Sequence, residues 1–224
     1  MNTASTPADS GEHPVLQRIS TAGKRLFWRL NGPLEDGAIQ VAPSEYYEPG
    51  DVMEPYFGPD GSPHAAVSQA SLMEPPASSL TVRVGCLDDW EQLWAEYHRD
   101  CATDPDPRYP DWRRLGPRPD DEAFEPRLYV LACCGQERPW AYDTCLHVAA
   151  EGEFLTVHEY VSAVHPWLMA MRDTILDALG GLDSRANWPP ETKLAVLELW
   201  PRMLRIDRED QWARCHRRPA PPAL

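Results

Sequence analysis

The most strongly patterned part of the chain is EFLTVHEYVSAVHPWLMAMRDTILDALGG, residues 153–181. Val164, Leu168, Met171, Ile175 and Leu179 recur at helical spacing and predict a face turned to a core. Thr156 and Glu159 fit a capping box, and Leu155 and Tyr160 stand at the spacing of a hydrophobic staple. A residue before proline avoids the helical region, so a first helix is expected over 157–164, with His165 ending it. Pro166 suits the first position of a second helix, 166–179, which Gly180 and Gly181 would close.

Elsewhere the periods are shorter. Apolar and polar residues alternate through LTVRV at 80–84, which predicts a half-buried strand. Asp88 would cap a helix over 88–99 whose stripe is Trp90, Leu93, Trp94 and Tyr97; an aromatic stripe at that spacing reads as core. RLYVLACC at 127–134 is almost continuously apolar, as a central strand is, and GQERP then turns the chain. In the strand that follows, Trp140, Tyr142, Leu146 and Val148 share one face, and Asp143, Cys145 and His147 share the other. These segments predict an antiparallel hairpin or meander. A strand over 192–199 and a short helix over 206–212, capped by Asp207, complete the pattern. Short strands are also expected at 25–30 and 38–41, on either side of the turn-prone NGPLEDG.

The fold class is therefore α+β: a mixed or mostly antiparallel sheet of four to five strands, with helices packed on one face. Ten of the 24 prolines precede residue 77, and the stretch 43–79 is also rich in Gly, Ser and acidic residues. Such a composition buries little apolar surface, so residues 1–79 are expected to be a largely disordered or loop-rich region. Tyr46, Tyr47, Tyr56 and Phe57 within it are candidates to dock on the domain surface. The globular domain is placed at 80–215, with a flexible tail at 216–224. A long loop at 101–126 interrupts the domain, and Trp112 beside Arg113 and Arg114 is its candidate contact surface.

Charge and cysteine usage narrow the function. The net charge of −14 repels phosphate backbones and anionic membranes, so nucleic acid and anionic membrane are disfavoured as general partners. No basic start leads into an apolar run and no apolar stretch reaches the length of a membrane span, so a cytoplasmic or nuclear protein that is not secreted is expected. The six cysteines lack the spacing of a disulfide scaffold.

No dinucleotide fingerprint, P-loop, nucleophile elbow, HExxH or paired CxxC is present, so no cofactor is predicted. One constellation of reactive side chains stands out. Cys145 and His147 share a strand face, and His158 and His165 lie about two helical turns apart. Brought together, the four would make a tetrahedral zinc site. Cys145 with a histidine base and Asp143 as orienter would make a thiol catalyst. The vicinal pair Cys133 and Cys134 is set aside, because neighbours in a strand point to opposite faces. Helix punctuation and packing account for the histidines more simply.

TVHEYVSAVHPWLMAMRDTILDAL, with the later PPETKLAVLEL, resembles uncharacterised proteins of filamentous fungi over roughly residues 127–212. The resemblance implies an intracellular eukaryotic source, no reaction and no functional residues. The sequence thus points first to a soluble intracellular non-enzymatic interaction protein with a protein partner. The alternative is a small metal- or thiol-dependent hydrolase built on the Cys/His set.

Overall fold

The computed structural model describes residues 16–99, 113–117, 128–139, 144–183 and 188–219. Its strands are β1 (Arg18–Ile19), β2 (Leu26–Arg29), β3 (Ile39–Val41), β4 (Glu54–Pro55), β5 (Met73–Glu74), β6 (Ser79–Val84), β7 (Arg113–Pro117), β8 (Leu128–Cys133), β9 (Gln136–Glu137), β10 (Cys145–Ala149), β11 (Leu194–Trp200) and β12 (Met203–Arg208). The helices are α1 (Thr21–Lys24), α2 (Gly85–Tyr97), α3 (Val157–Ala170), α4 (Arg172–Leu182) and α5 (Trp212–Cys215). The main sheet runs β10-β6-β12-β11-β2-β3-β4. It is mixed: β12 pairs with β6 in parallel, and the other neighbours are antiparallel. Strands β7, β8 and β9 form a separate three-stranded sheet with β8 in the middle, and β1 pairs with β5. Among the described residues, no helix is long and apolar enough to cross a membrane.

Strand β11 shows why the sheet has two covered faces. Leu194 and Val196 join the main core, which also takes in Leu87 of α2, Leu168 of α3 and Ile175 of α4. The alternate residues Ala195 and Leu197 join a smaller cluster around Trp212 of α5. A strand buried on both sides reads as a continuous apolar run, as LAVL does. The three long helices therefore pack into one core, as expected, while the short α5 closes part of the other face.

The sheet has seven strands rather than four to five, because β2, β3 and β4 come from the first 55 residues. Strands β2 and β3 lie where short strands were expected, but they join the domain sheet through Trp28 opposite Val196. The stretch 43–79 is rich in loops, as its composition requires, yet Tyr56, Val67, Leu72 and Met73 are each fully buried. A few large apolar residues suffice to anchor a proline-rich segment whose average hydropathy is poor. At the other end, His216 stacks on Trp212 with ring centroids 4.1 Å apart, so the tail is packed at its start.

Several local expectations are corrected. Helix α3 does not stop at His165; it passes through Pro166 to Ala170, and the break falls at Met171. Proline in a helix leaves the carbonyl four residues back without its donor. That carbonyl belongs to Ser162, which is exposed together with Pro166, so the cost is met on the solvent side. The capping box is present: Glu159 N donates to Thr156 Oγ1 at 3.1 Å, and Thr156 N donates to Glu159 Oε2 at 2.8 Å.

Gly180 and Gly181 do not end α4 but lie within it. A β-carbon at Gly181 would stand 2.7 Å from Trp90 Nε1, so glycine there lets α2 and α4 approach. Helix α2 starts at Gly85 rather than at an Asp88 cap. Asp88 instead forms a two-pronged ion pair with Arg83, at 2.7 and 2.9 Å. Of the helix expected over 206–212, residues 206–208 are strand, because Leu204 and Ile206 alternate inward and that period of two outweighs the Asp207 capping signal, while 209–212 are helical. Strand β10 pairs with β6 rather than with β8.

Candidate functional site

The structure disperses the residues that the sequence grouped. Cys145 and His147 are exposed on β10, an edge strand, where His147 Nδ1 lies 3.4 Å from Thr81 Oγ1. Asp143, Trp112, Trp140 and Tyr142 lie outside the described residues.

His165 is 2% exposed and turned into the core. Trp28 Nε1 donates to its Nδ1 at 2.8 Å, which fixes the proton on Nε2, and Nε2 donates to the Gly32 carbonyl at 2.8 Å. Burial, first of all, holds its pKa below the ordinary histidine value. A neutral ring with both nitrogens bonded has no site left for a metal. It acts as a pin joining α3, β2 and the loop that follows β2.

His158 is one step freer. Its ring lies nearly parallel to that of Tyr56, and its Nδ1 is 3.3 Å from the Tyr56 hydroxyl. Burial raises the Tyr56 pKa, so that hydroxyl is a neutral phenol throughout the physiological range. His158 lines a cleft of about 690 Å³ together with Glu35, Phe57, Ser162 and Met169. His165 borders the same cleft, yet among the described residues neither histidine joins Cys145 and His147 in a group of three ligating side chains.

Among the described residues, one group of three metal-ligating side chains does converge: His98, Cys133 and Cys134. None of them belonged to the expected set. Strand β8 ends at Cys133, and the two-residue turn Cys134-Gly135 has φ of 53° and 76°. Positive φ at both central residues is the mark of the tight hairpin turn that matches strand twist. The left-handed backbone at Cys134 rotates its side chain off the alternating pattern, so the sulfurs of Cys133 and Cys134 lie 3.7 Å apart. The expectation of opposite faces fails because the turn begins one residue earlier than GQERP suggests. His98, at the end of α2, completes the group with Nε2 at 3.4 Å from Gln136 Oε1. By contrast, burial pushes the Cys86 thiol up to about 12, which makes it a packing residue.

A second feature invisible in the sequence is the tip of the β11–β12 hairpin. Trp200 and Met203 face each other across the ladder and are 59% and 42% exposed, beside Leu16 at 88%. With Pro75, Pro201 and Arg202 they border a shallow cleft of about 580 Å³. The Trp200 indole is held in place: its Nε1 donates to Glu198 Oε2 at 2.8 Å, and Glu198 is itself paired with Arg205 at 2.9 Å. Local periodicity gives no sign of this surface, because Leu16 comes from the far end of the chain and joins Trp200 and Met203 only through the fold. No family model matches the chain, and neither the curated proteins nor the solved structures include one that does.

Proposed function

We propose that this chain is a non-enzymatic interaction protein whose partner docks on the ridge of Leu16, Trp200 and Met203. The carrying observation is Trp200, 59% exposed with its indole already fixed by Glu198. Trp and Met are enriched in interface anchors, and an anchor that is held before binding loses little rotamer entropy on docking. Arg202 stands on the rim without an ion pair among the described residues, so it can meet a carboxylate. The complementary partner is a protein segment that presents an apolar side chain flanked by acidic groups.

Trp200→Glu and Met203→Glu test the reading, with a thermal melt of each variant to confirm the fold, because both residues are exposed at the hairpin tip. Proteins retained from native lysate by the wild type should be lost with both variants, and retention should weaken as salt is raised. If both variants retain the same proteins as the wild type, the ridge is not the interface.

A further inference from the structure

We propose that His98, Cys133 and Cys134 bind a thiophilic divalent metal ion of the zinc type. The site is independent of the docking ridge, and either can fail without the other.

The donor set is the first ground. Two thiolates and one imidazole are the borderline-soft ligands that zinc selects over hard cations. On binding, each thiol gives up its proton to solvent, the two thiolates and a neutral imidazole nitrogen donate electron pairs, and no electron changes hands. The site then carries no net charge.

Geometry is the second ground. Two thiolates at about 2.3 Å from a tetrahedral ion are separated by about 3.8 Å. The sulfurs of Cys133 and Cys134 already stand 3.7 Å apart. This is far beyond the roughly 2.05 Å of a disulfide. The three ligand atoms all lie within 4.8 Å of one another. An imidazole nitrogen and a thiolate on such an ion are about 3.6 Å apart, so the histidine needs to close by no more than about 1.2 Å.

The histidine supplies the third ground. Nδ1 of His98 is buried and has no hydrogen-bond partner among the described residues, while Nε2 faces the Gln136 carbonyl oxygen at 3.4 Å. Nε2–H donating to Gln136 leaves Nδ1 with a bare lone pair. Metal-ligating histidines are oriented in this way by an acceptor on the other nitrogen. A buried acceptor without a donor is otherwise destabilising.

The turn itself is the fourth. Asn, Asp and Gly fit the left-handed region with least strain, and any other L-residue there is disfavoured. Cys134 occupies it with φ of 53°, and the result is the approach of its sulfur to Cys133. Strain at such a position marks a place where the side chain matters more than the turn. His98 and Cys134 also border a cleft of about 520 Å³ together with Trp94 and Gln136, which gives an ion a path to the site.

The test uses the full-length, reduced, chelator-stripped protein. Zn²⁺ is titrated in competition with a chromophoric chelator, and Co²⁺ is added in parallel for its thiolate charge-transfer and tetrahedral absorption bands. One ion per chain is expected, with thiolate charge transfer in the cobalt form. His98→Ala and Cys134→Gly should each weaken binding by more than the roughly 100-fold seen at the upper end of outer-shell changes, and Gln136→Ala by roughly 10–100-fold. Cys145→Ser, on the exposed face of β10, should bind as the wild type does.

Cys134→Gly separates loss of a ligand from loss of the fold. Glycine relieves the left-handed turn, so the metal-free variant should melt at or above the wild type while binding is lost. Zinc binding by Cys134→Gly equal to the wild type, cobalt bands without thiolate charge transfer, or no competition with the chelator would each overturn the site.

Discussion

Replacing His165 with leucine tests whether the most deeply buried histidine is a structural pin. The change keeps most of the volume and removes two hydrogen bonds, each 2.8 Å long: one from Trp28 Nε1 and one to the Gly32 carbonyl. Trp28 is 0% exposed, so its N–H would be left without an acceptor at a cost of about 1–3 kcal/mol. The Gly32 carbonyl lies nearer solvent and adds about 0.5–1.5 kcal/mol, for a total loss of about 1.5–4.5 kcal/mol. Trp28→Phe removes the other end of the same bond, so Trp28→Phe/His165→Leu should lose about 1–3 kcal/mol less than the sum of the single changes.

The same residue sets a pH limit. Burial keeps His165 neutral in the fold, with its pKa below the unfolded value of about 6.5, so the unfolded chain takes up the proton first as pH falls. Stability is therefore complete above about pH 6.5 and declines below it, by at most about 1.4 kcal/mol per pH unit for one proton. His216 is shifted down by its own burial and contributes in the same direction. Urea unfolding followed by tryptophan fluorescence at about pH 7.5 and about pH 5.5 reads both effects, and His165→Leu should keep only the His216 part of the decline. A variant decline as steep as that of the wild type, or strictly additive losses in the double variant, would refute the account of His165.

Three further outcomes follow from single contacts. Arg172 donates Nε to the Leu30 carbonyl at 2.9 Å, Nη1 to that of Pro190 at 2.8 Å and Nη2 to that of Thr192 at 2.7 Å. Arg172→Ala should cost about 2–4 kcal/mol in chemical unfolding, and Arg172→Lys should recover only part of that, since an ammonium lacks the planar fork. Thr156→Ala should cost about 1 kcal/mol by removing the cap of α3. Hydrogen bonds from the Thr156 side chain, then from the Thr156 and Glu151 backbone, hold the Glu159 carboxyl below its ordinary pKa. Its contribution is present above about pH 4.3 and lost as pH falls further, so thermal melts of Glu159→Gln should lack that part of the acid decline. Gly181→Ala should destabilise by about 1–3 kcal/mol despite a helix-propensity gain of about 1 kcal/mol, because the rigid Trp90 ring stands 2.7 Å from the new carbon.

What the sequence discloses is what local periodicity and local caps decide. The α3 cap, the alternation of β6 and the strand β11 all depend on neighbours within a few residues, and each lies within two residues of where the pattern puts it. Proline and glycine signals misled for one reason: their cost depends on what surrounds them. Pro166 is tolerated because Ser162 faces solvent, and Gly181 belongs to a helix because Trp90 lies against it. The extra strands escaped the domain estimate because pairing between Trp28 and Val196 spans most of the chain, and no local window contains it.

The candidate site was least legible, and a single backbone angle explains much of that. Whether Cys133 and Cys134 diverge or converge turns on whether residue 134 belongs to the strand or to the turn. A shift of the turn by one residue exchanges the two outcomes, because the side-chain period of a strand is two. With φ of 53°, Cys134 belongs to the turn, and its sulfur comes within 3.7 Å of its neighbour's. His98 then arrives from the end of α2, 35 residues before Cys133 in the chain, through packing that the sequence pattern does not encode. The expected quartet of Cys145, His147, His158 and His165 does not gather at one point, since its members lie on an exposed edge strand, beside Tyr56 and against Trp28. The convergent trio has that same chemistry, brought together by a turn that accepts strain where asparagine or glycine would avoid it.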